Sequence, residues 1–211
     1  TAPSPIVLIN YVLPFHMLAA GPIQSYDEYV DGRARPQDPS AQDVLQGMER
    51  IASGLFKKFV LAYLIQTMFL TDLKTGGAYF LVEMQLTFVW LFLDFSAYSD
   101  IAKGVGILTG IATPENFNRP LMARNLIDFW ERWHISLSNW LRDYLYIPLG
   151  GSHGGPAARY RNLMLVMLLG GLWHGAGWTF VMWGGLHGLY LCANHAWRAR
   201  GLAMPRLPAW V

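Results

Sequence analysis

Ala78-Tyr79-Phe80-Leu81-Val82-Glu83-Met84-Gln85-Leu86-Thr87-Phe88-Val89-Trp90-Leu91-Phe92-Leu93-Asp94-Phe95 is an apolar run of 18 residues, interrupted by Glu83, Gln85 and Asp94. A helix of this length, rising about 1.5 Å per residue, reaches across the roughly 30 Å hydrocarbon core of a bilayer. Such a helix satisfies its backbone polar groups internally, which lipid demands. Composition agrees with a lipid solvent. Charged residues are 14% of the 211 positions, 53% are hydrophobic and nine are Trp, whereas an average soluble domain is about 25% charged.

Outward from this run, polar and apolar stretches alternate. Residues 5 to 23 are apolar but broken by Pro14 and end at Gly21-Pro22. Proline removes a backbone donor, so a kinked or re-entrant span is expected. Gln24 to Arg50 is polar, with Asp27, Glu28, Asp31, Arg33, Arg35, Asp38, Asp43 and Glu49, and reads as an aqueous loop with an interfacial helix. Phe59 to Leu70 continues as an apolar helix. Immediately after the opening run, Asp94-Phe95-Ser96-Ala97-Tyr98-Ser99-Asp100-Ile101-Ala102-Lys103-Gly104 sets two acids and a lysine among apolar residues. Polar groups at membrane depth face a protein interior or a water-filled path. Gly110 to Pro120 is a connection. Two last apolar runs, Leu163 through Trp173 and Trp178 to Cys192, flank the glycine-rich Gly170 to Gly177, and a Pro-containing tail follows Arg200. The pattern predicts an all-α, polytopic transmembrane bundle in one membrane-embedded domain over residues 1–211.

Several function classes lose support. A formal net charge of +2, with no basic run of about five to eight residues, offers nucleic acid no footprint. The single Cys192 leaves no internal disulfide and no thiolate zinc cluster. It reads as a small buried hydrophobe. His187 and His195 share a face of the last apolar run, but a metal site needs two or three converging ligands, and no metal is expected. His16 and His153 read as lone helix-end or loop histidines. No G-x-S-x-G elbow is present. The chain begins Thr1-Ala2-Pro3-Ser4 with no visible signal peptide.

Two segments carry chemistry. Ile127 to Leu145 has helical periodicity. Steps of 100° gather Trp130, Trp133, Leu137, Trp140, Leu141 and Tyr144 within an arc of about 100°. Glu131, His134, Ser138 and Arg142 fall on the neighbouring arc, with Asp128, Arg132, Ser136, Asn139 and Asp143 around the remainder. A helix so polar either lies in the headgroup plane or lines a cavity with its charges paired. Arg132 and Arg142 either hold an anionic donor or pair with Glu131 and Asp143; pairing is the preferred reading, since unpaired buried charge is costly. His174 is the second feature, with Gly171-Leu172 before it and Gly175 after. A neutral imidazole there can take a proton from an alcohol attacking an acyl carbonyl; the same residue also reads as a satisfied core histidine.

Phe129 to Gly151, FWERWHISLSNWLRDYLYIPLGG, closely resembles the signature of the membrane-bound O-acyltransferase family. Phe15 to Ile23, Asp94 to Ala102 and Leu172 to Ala176 resemble further stretches of its bacterial alginate O-acetyltransferase and polysaccharide-acetylation subgroup. The resemblance implies a multi-helix bundle with a central channel in the bacterial inner membrane, crossed several times. It implies an acetyl transfer from acetyl-CoA, or another activated acyl donor, to hydroxyls of an exported polysaccharide such as alginate. No bound cofactor is implied; membrane lipids and periplasmic or extracellular acetylation proteins are the implied partners. His174 falls on the family's active-site histidine and is expected to act as general base. His134, the second family histidine, would position a substrate or stabilise developing charge. Trp130, Arg132, Ser138, Arg142, Asp143, Tyr144, Trp173, Asp94, Tyr98 and Asp100 become expected substrate-binding or channel residues. Acylation of teichoic acid, peptidoglycan, lipid or protein, and a non-catalytic channel subunit, are the alternatives. Family members carry further helices at both ends, so the chain is expected to be the central and C-terminal-side portion of a longer protein.

Overall fold

A computed structural model describes residues 4–33, 38–70 and 79–201. The Pro-containing tail after Arg200 lies almost wholly outside them, as does Arg35. Within the described residues all regular structure is helical, and the isolated bridge between Phe117 and Trp133 is the sole β-type pairing. The chain divides into two compact units, Thr1–Asn116 and Phe117–Val211.

In the first unit, α1 (Pro5–Val12) starts with proline in its first turn, where the missing N–H costs nothing. It ends at Leu13, directly before Pro14, which cannot continue it. The kink expected there is therefore a helix end. Two helices occupy the polar stretch, α2 (Tyr26–Arg33) and α3 (Ala41–Phe56). A capping box opens α3: the Ser40 hydroxyl accepts from Asp43 N while the Asp43 carboxylate accepts from Ser40 N. The rod continues through π-helical Lys57–Ala62, α4 (Tyr63–Ile65) and π-helical Gln66–Leu70.

From Tyr79 onward the opening run lies in α5 (Tyr79–Thr109), 31 residues long; Ala78 falls outside the described residues. Among the described residues it is the one helix long and apolar enough to cross a membrane. Phe80, Leu81, Val82, Met84 and Leu91 are exposed along it, an outer face that water would oppose and lipid would solvate. The segment Asp94 to Gly104 is no separate element but the second half of this helix. Small residues let α3 and α5 meet almost backbone to backbone: a Cβ on Gly104 would stand 2.6 Å from Gly47 O, and one on Gly54 2.7 Å from Ala97 O.

The second unit opens with a short turn (Pro120–Met122), followed by α6 (Leu126–Trp130), α7 (Ile135–Leu141) and a π-helical turn (Arg142–Tyr146). The single helix read over Ile127 to Leu145 is thus broken at Glu131 to His134. Long helices α8 (Gly155–His174) and α9 (Trp178–Ala199) form an antiparallel hairpin around Gly175-Ala176-Gly177. Asn162 on α8 is fully buried. Its amide donates to Leu149 O and Gly151 O, both at 3.0 Å, and its oxygen accepts from the Arg161 guanidinium, fastening α8 to the turn before it.

Candidate active site

His174 is the last residue of α8, and the hairpin places it. A Cβ on Gly171 would lie 2.4 Å from Phe180 O and 3.2 Å from Gly184 Cα; one on Gly184 would lie 2.3 Å from Met167 O. Only hydrogen fits at either position, so α8 and α9 pack with their backbones in contact. The next turn of chain is equally tight, because a Cβ on Gly175 would strike the Phe180 ring at 2.4 Å. His174 therefore leaves the helix against a fixed aromatic wall. Its ring lies 5.0 Å from Trp173, 5.2 Å edge-on to Trp183 and 6.5 Å, stacked, from Phe180. Its side chain is exposed.

His134 is held by different means. It caps α7 in the left-handed conformation, φ 44° and ψ 54°, which is rare for a residue with a Cβ and costs of order 1 kcal/mol. The preceding turn is locked: Trp133 N donates to Phe129 O at 2.8 Å, and Asn118 N donates to Arg132 O at 3.0 Å. The Trp133 ring stacks on Phe129 at 5.5 Å and meets Phe117 edge-on at 5.1 Å. His134 is 5% exposed. It stands outside any spanning helix, and burial, then the positive charge of a protonated His174, pull its pKa down to about 4. The two histidines are thus close enough to sense each other's charge, and His134 is a neutral imidazole at physiological pH.

Around them is an aromatic cluster that the sequence reading reached only in part. Trp183 lies 4.6 Å from His187, and Trp130 lies 5.3 Å from His187 and 5.9 Å from Trp183. Trp130 Nε1 and His187 Nδ1 are buried without a hydrogen-bond partner. Trp130 had been anticipated as a channel residue; Trp183 and Phe180 had not, and His187 had been weighed only as a metal ligand. The i, i+4 spacing of Trp183 and His187 on one helix was the available signal.

The remaining candidates fall into two groups. Arg132 pairs with Asp128, one turn back on the chain, rather than with Glu131, and its Nη1 donates to Asn118 O at 3.3 Å. Arg142 pairs with Asp143 as anticipated, through two bonds of 2.7 and 3.0 Å. That pair is exposed, as are Tyr144, stacked 5.5 Å from Trp140, and Trp173. Ser138 donates to Trp133 O at 3.3 Å. Because the chain breaks at His134, Glu131 does not continue the stripe of Ser138 and Arg142. Asp94, Tyr98 and Asp100 belong to the first unit, where each has protein partners. Asp100 accepts from Arg50 and Lys57, both at 2.6 Å, and Asp94 pairs with Lys58. The Tyr98 hydroxyl accepts from Ala20 N at 3.2 Å and donates to His16 O at 3.4 Å. Among the described residues no three His, Cys, Asp or Glu side chains gather as a metal would require.

A buried neutral histidine within electrostatic reach of an exposed one, at the end of a glycine-packed helix, is an arrangement for moving a proton. The sequence profile of the membrane-bound O-acyltransferase family matches residues 1–210. The chain belongs to this family. Among membrane-bound O-acyltransferases it is 43% identical to the probable alginate O-acetylase AlgI of Azotobacter vinelandii, over 89% of this chain and 38% of that protein. It is 41% identical to the peptidoglycan O-acetyltransferase of Helicobacter pylori, over 95% of this chain and 40% of that protein. With the teichoic acid D-alanyltransferase of Bacillus subtilis it shares 32% identity, over 89% and 51%. The chain spans two-fifths to about half the length of these relatives.

Proposed function

We propose that this chain is the catalytic portion of a membrane O-acyltransferase that moves an acetyl or similar small acyl group from an activated donor to a hydroxyl of an exported polysaccharide. His174 is its general base. It takes the proton of the acceptor hydroxyl as that oxygen bonds to the acyl carbonyl carbon; the bond to the donor's leaving group then breaks, and the leaving group departs with a proton. Acetyl-CoA or another activated acyl compound is the donor substrate. His134, neutral and buried, donates an N–H hydrogen bond that orients a substrate or stabilises the carbonyl oxygen as it gains charge, an effect worth a few kcal/mol at such sites.

The observation that carries this reading is the electrostatic proximity of His134 and His174. Trp130, Ser138, Arg142, Asp143, Tyr144 and Trp173 border the path the substrates take, with Arg132 fixing the turn that presents His134. Asp94, Tyr98 and Asp100 hold the helices of the first unit together through their ion pairs and hydrogen bonds. In the full-length protein these elements form part of a polytopic bundle with a central channel in the bacterial inner membrane, joined by extracytoplasmic acetylation partners. Alginate is the favoured acceptor because several relatives at 40–43% identity carry that name. Peptidoglycan is the second reading, on a relative of nearly equal identity.

The test is His174→Ala in the full-length protein expressed in its own host. Acetate on the surface polymer should vanish while expression and membrane insertion stay at wild-type levels. Undiminished acetylation would falsify the catalytic assignment and leave a non-catalytic channel subunit.

A further inference from the structure

Four arginines, Arg159, Arg161, Arg198 and Arg200, gather at the end of the α8–α9 hairpin remote from His174. The register of the hairpin carries them there. A Cβ on Gly188 would lie 2.9 Å from Met164 Sδ, and one turn on Cys192 Sγ donates to Tyr160 O at 3.6 Å. In the turn that follows, Arg159 and Arg198 both lie within electrostatic reach of His195. No acid follows Asp143 in the chain. Among the described residues none of the four arginines has an ion pair. Arg161 donates to the neutral amide of Asn162, and Arg159 Nε has no hydrogen-bond acceptor. The charge of this end is therefore left for something beyond the described residues to balance.

Both helices run an exposed apolar stripe up to this end. On α8, Leu172, Leu169 and Leu165 stand at helical spacing and the stripe ends in Arg161; on α9, Leu186, Tyr190 and Trp197 lead in the same way to Arg200. All of these side chains are exposed. An outward face that is apolar along its length and closes on Trp and Arg is the pattern of a membrane boundary, where ring and guanidinium reach the headgroups. An acidic protein segment would neutralise the arginines and leave the stripes uncovered. A phospholipid meets both needs, its phosphate against the guanidinium groups, whose planar fork bonds two oxygens at once, and its acyl chains along the stripes. A zwitterionic headgroup brings its own cation and leaves the excess charge in place; an anionic one removes it.

We propose that the arginine end of the α8–α9 hairpin is a docking surface for the headgroup of an anionic phospholipid. The proposal rests on the membrane placement given above but not on the acyl-transfer chemistry, and its test reads no acetylation. The full-length protein carrying Trp197→p-benzoylphenylalanine is placed in nanodiscs of equimolar phosphatidylglycerol and phosphatidylcholine with identical acyl chains, irradiated, and its adducts weighed by mass spectrometry. Phosphatidylglycerol adducts should exceed phosphatidylcholine adducts by at least about fivefold, the effect of roughly one arginine at an anionic surface. Adding Arg159→Gln and Arg198→Gln should bring the two lipids to within about twofold of each other, whereas Arg159→Lys with Arg198→Lys should keep the preference. Arg198→Gln with Arg200→Gln, both exposed, serves if the first pair fails to fold. Equal labelling by the two lipids, or a preference that survives the glutamine pairs, overturns the proposal and leaves the membrane placement standing. Adducts to peptide and to no lipid overturn both, since another protein segment then covers this end.

Discussion

Gly171 and Gly184 face each other across the α8–α9 hairpin so closely that a Cβ on Gly171 would come within 3.2 Å of Gly184 Cα. The nearest atoms on both sides are backbone, which cannot rotate away. Gly184→Leu should therefore force the helices apart, destabilise the protein by about 1–3 kcal/mol and displace His174. Thermal unfolding in nanodiscs, beside an acetylation assay, checks this. A variant with unchanged stability and turnover would mean that the hairpin does not set the histidine.

For His134, backbone and side chain make separable predictions. Asn tolerates the left-handed region better than other residues with a Cβ, so His134→Asn should hold stability to within about 1 kcal/mol while lowering turnover by roughly 10²-fold or more. A β-branched replacement, His134→Val, should lose both. If Val and Asn variants unfold at the same temperature, the φ of 44° is not a constraint on this turn.

Acid should destabilise the fold through the same residue. His134 has a pKa of about 4 when folded, against 6.5 as its ordinary value. The unfolded chain therefore takes up a proton first, and stability that is complete above about pH 6.5 declines as pH falls toward 4. Unfolding midpoints at pH 7.5 and 4.5 should lie further apart for the wild type than for His134→Asn. Equal separations would show that His134 is not held neutral.

The ion pairs of the first unit should differ sharply in weight. The Asp100 side chain is 10% exposed between Arg50 and Lys57, whereas Lys58 and Asp94 are 42% and 30% exposed. Asp100→Ala takes the carboxylate from half-buried Lys57, leaves Arg50 with Glu115 alone, and should cost about 3 kcal/mol. Lys58→Ala should cost under about 1 kcal/mol. Chemical denaturation of the two variants separates these values, and a reversed order would contradict the assigned burial.

Much of this architecture could be read from the chain itself. Helix α5 was legible because its apolar run is long, Pro14 because it cannot propagate a helix, and the α8–α9 hairpin because glycines punctuate two apolar runs. The break at His134 was not legible. No proline or glycine marks it, and the turn keeps helix-like local bonds such as Trp133 N to Phe129 O. What breaks the helix is distant in sequence: the pairing of Asn118 with Arg132 and the packing of Phe117 on Trp133. The same holds at the site. Motif and resemblance point to His134, His174 and Trp130 as candidates, but Trp183 and Phe180 lie beside His174 through the packing of α9, which periodicity cannot supply. Arg132 pairs with a carboxylate one turn back, at Asp128, an i, i+4 spacing that sets the two side chains side by side.

The glycine contacts of the α8–α9 hairpin also bear on how such chains can diverge. Adding or deleting one residue between Gly171 and His174 would carry the imidazole about 1.5 Å along the helix axis and about 100° around it. Exchanging an outward side chain such as Leu169 or Leu172, both exposed, moves it not at all. Along this hairpin, substitutions on the outer face are cheap, and a change in residue count is not tolerated.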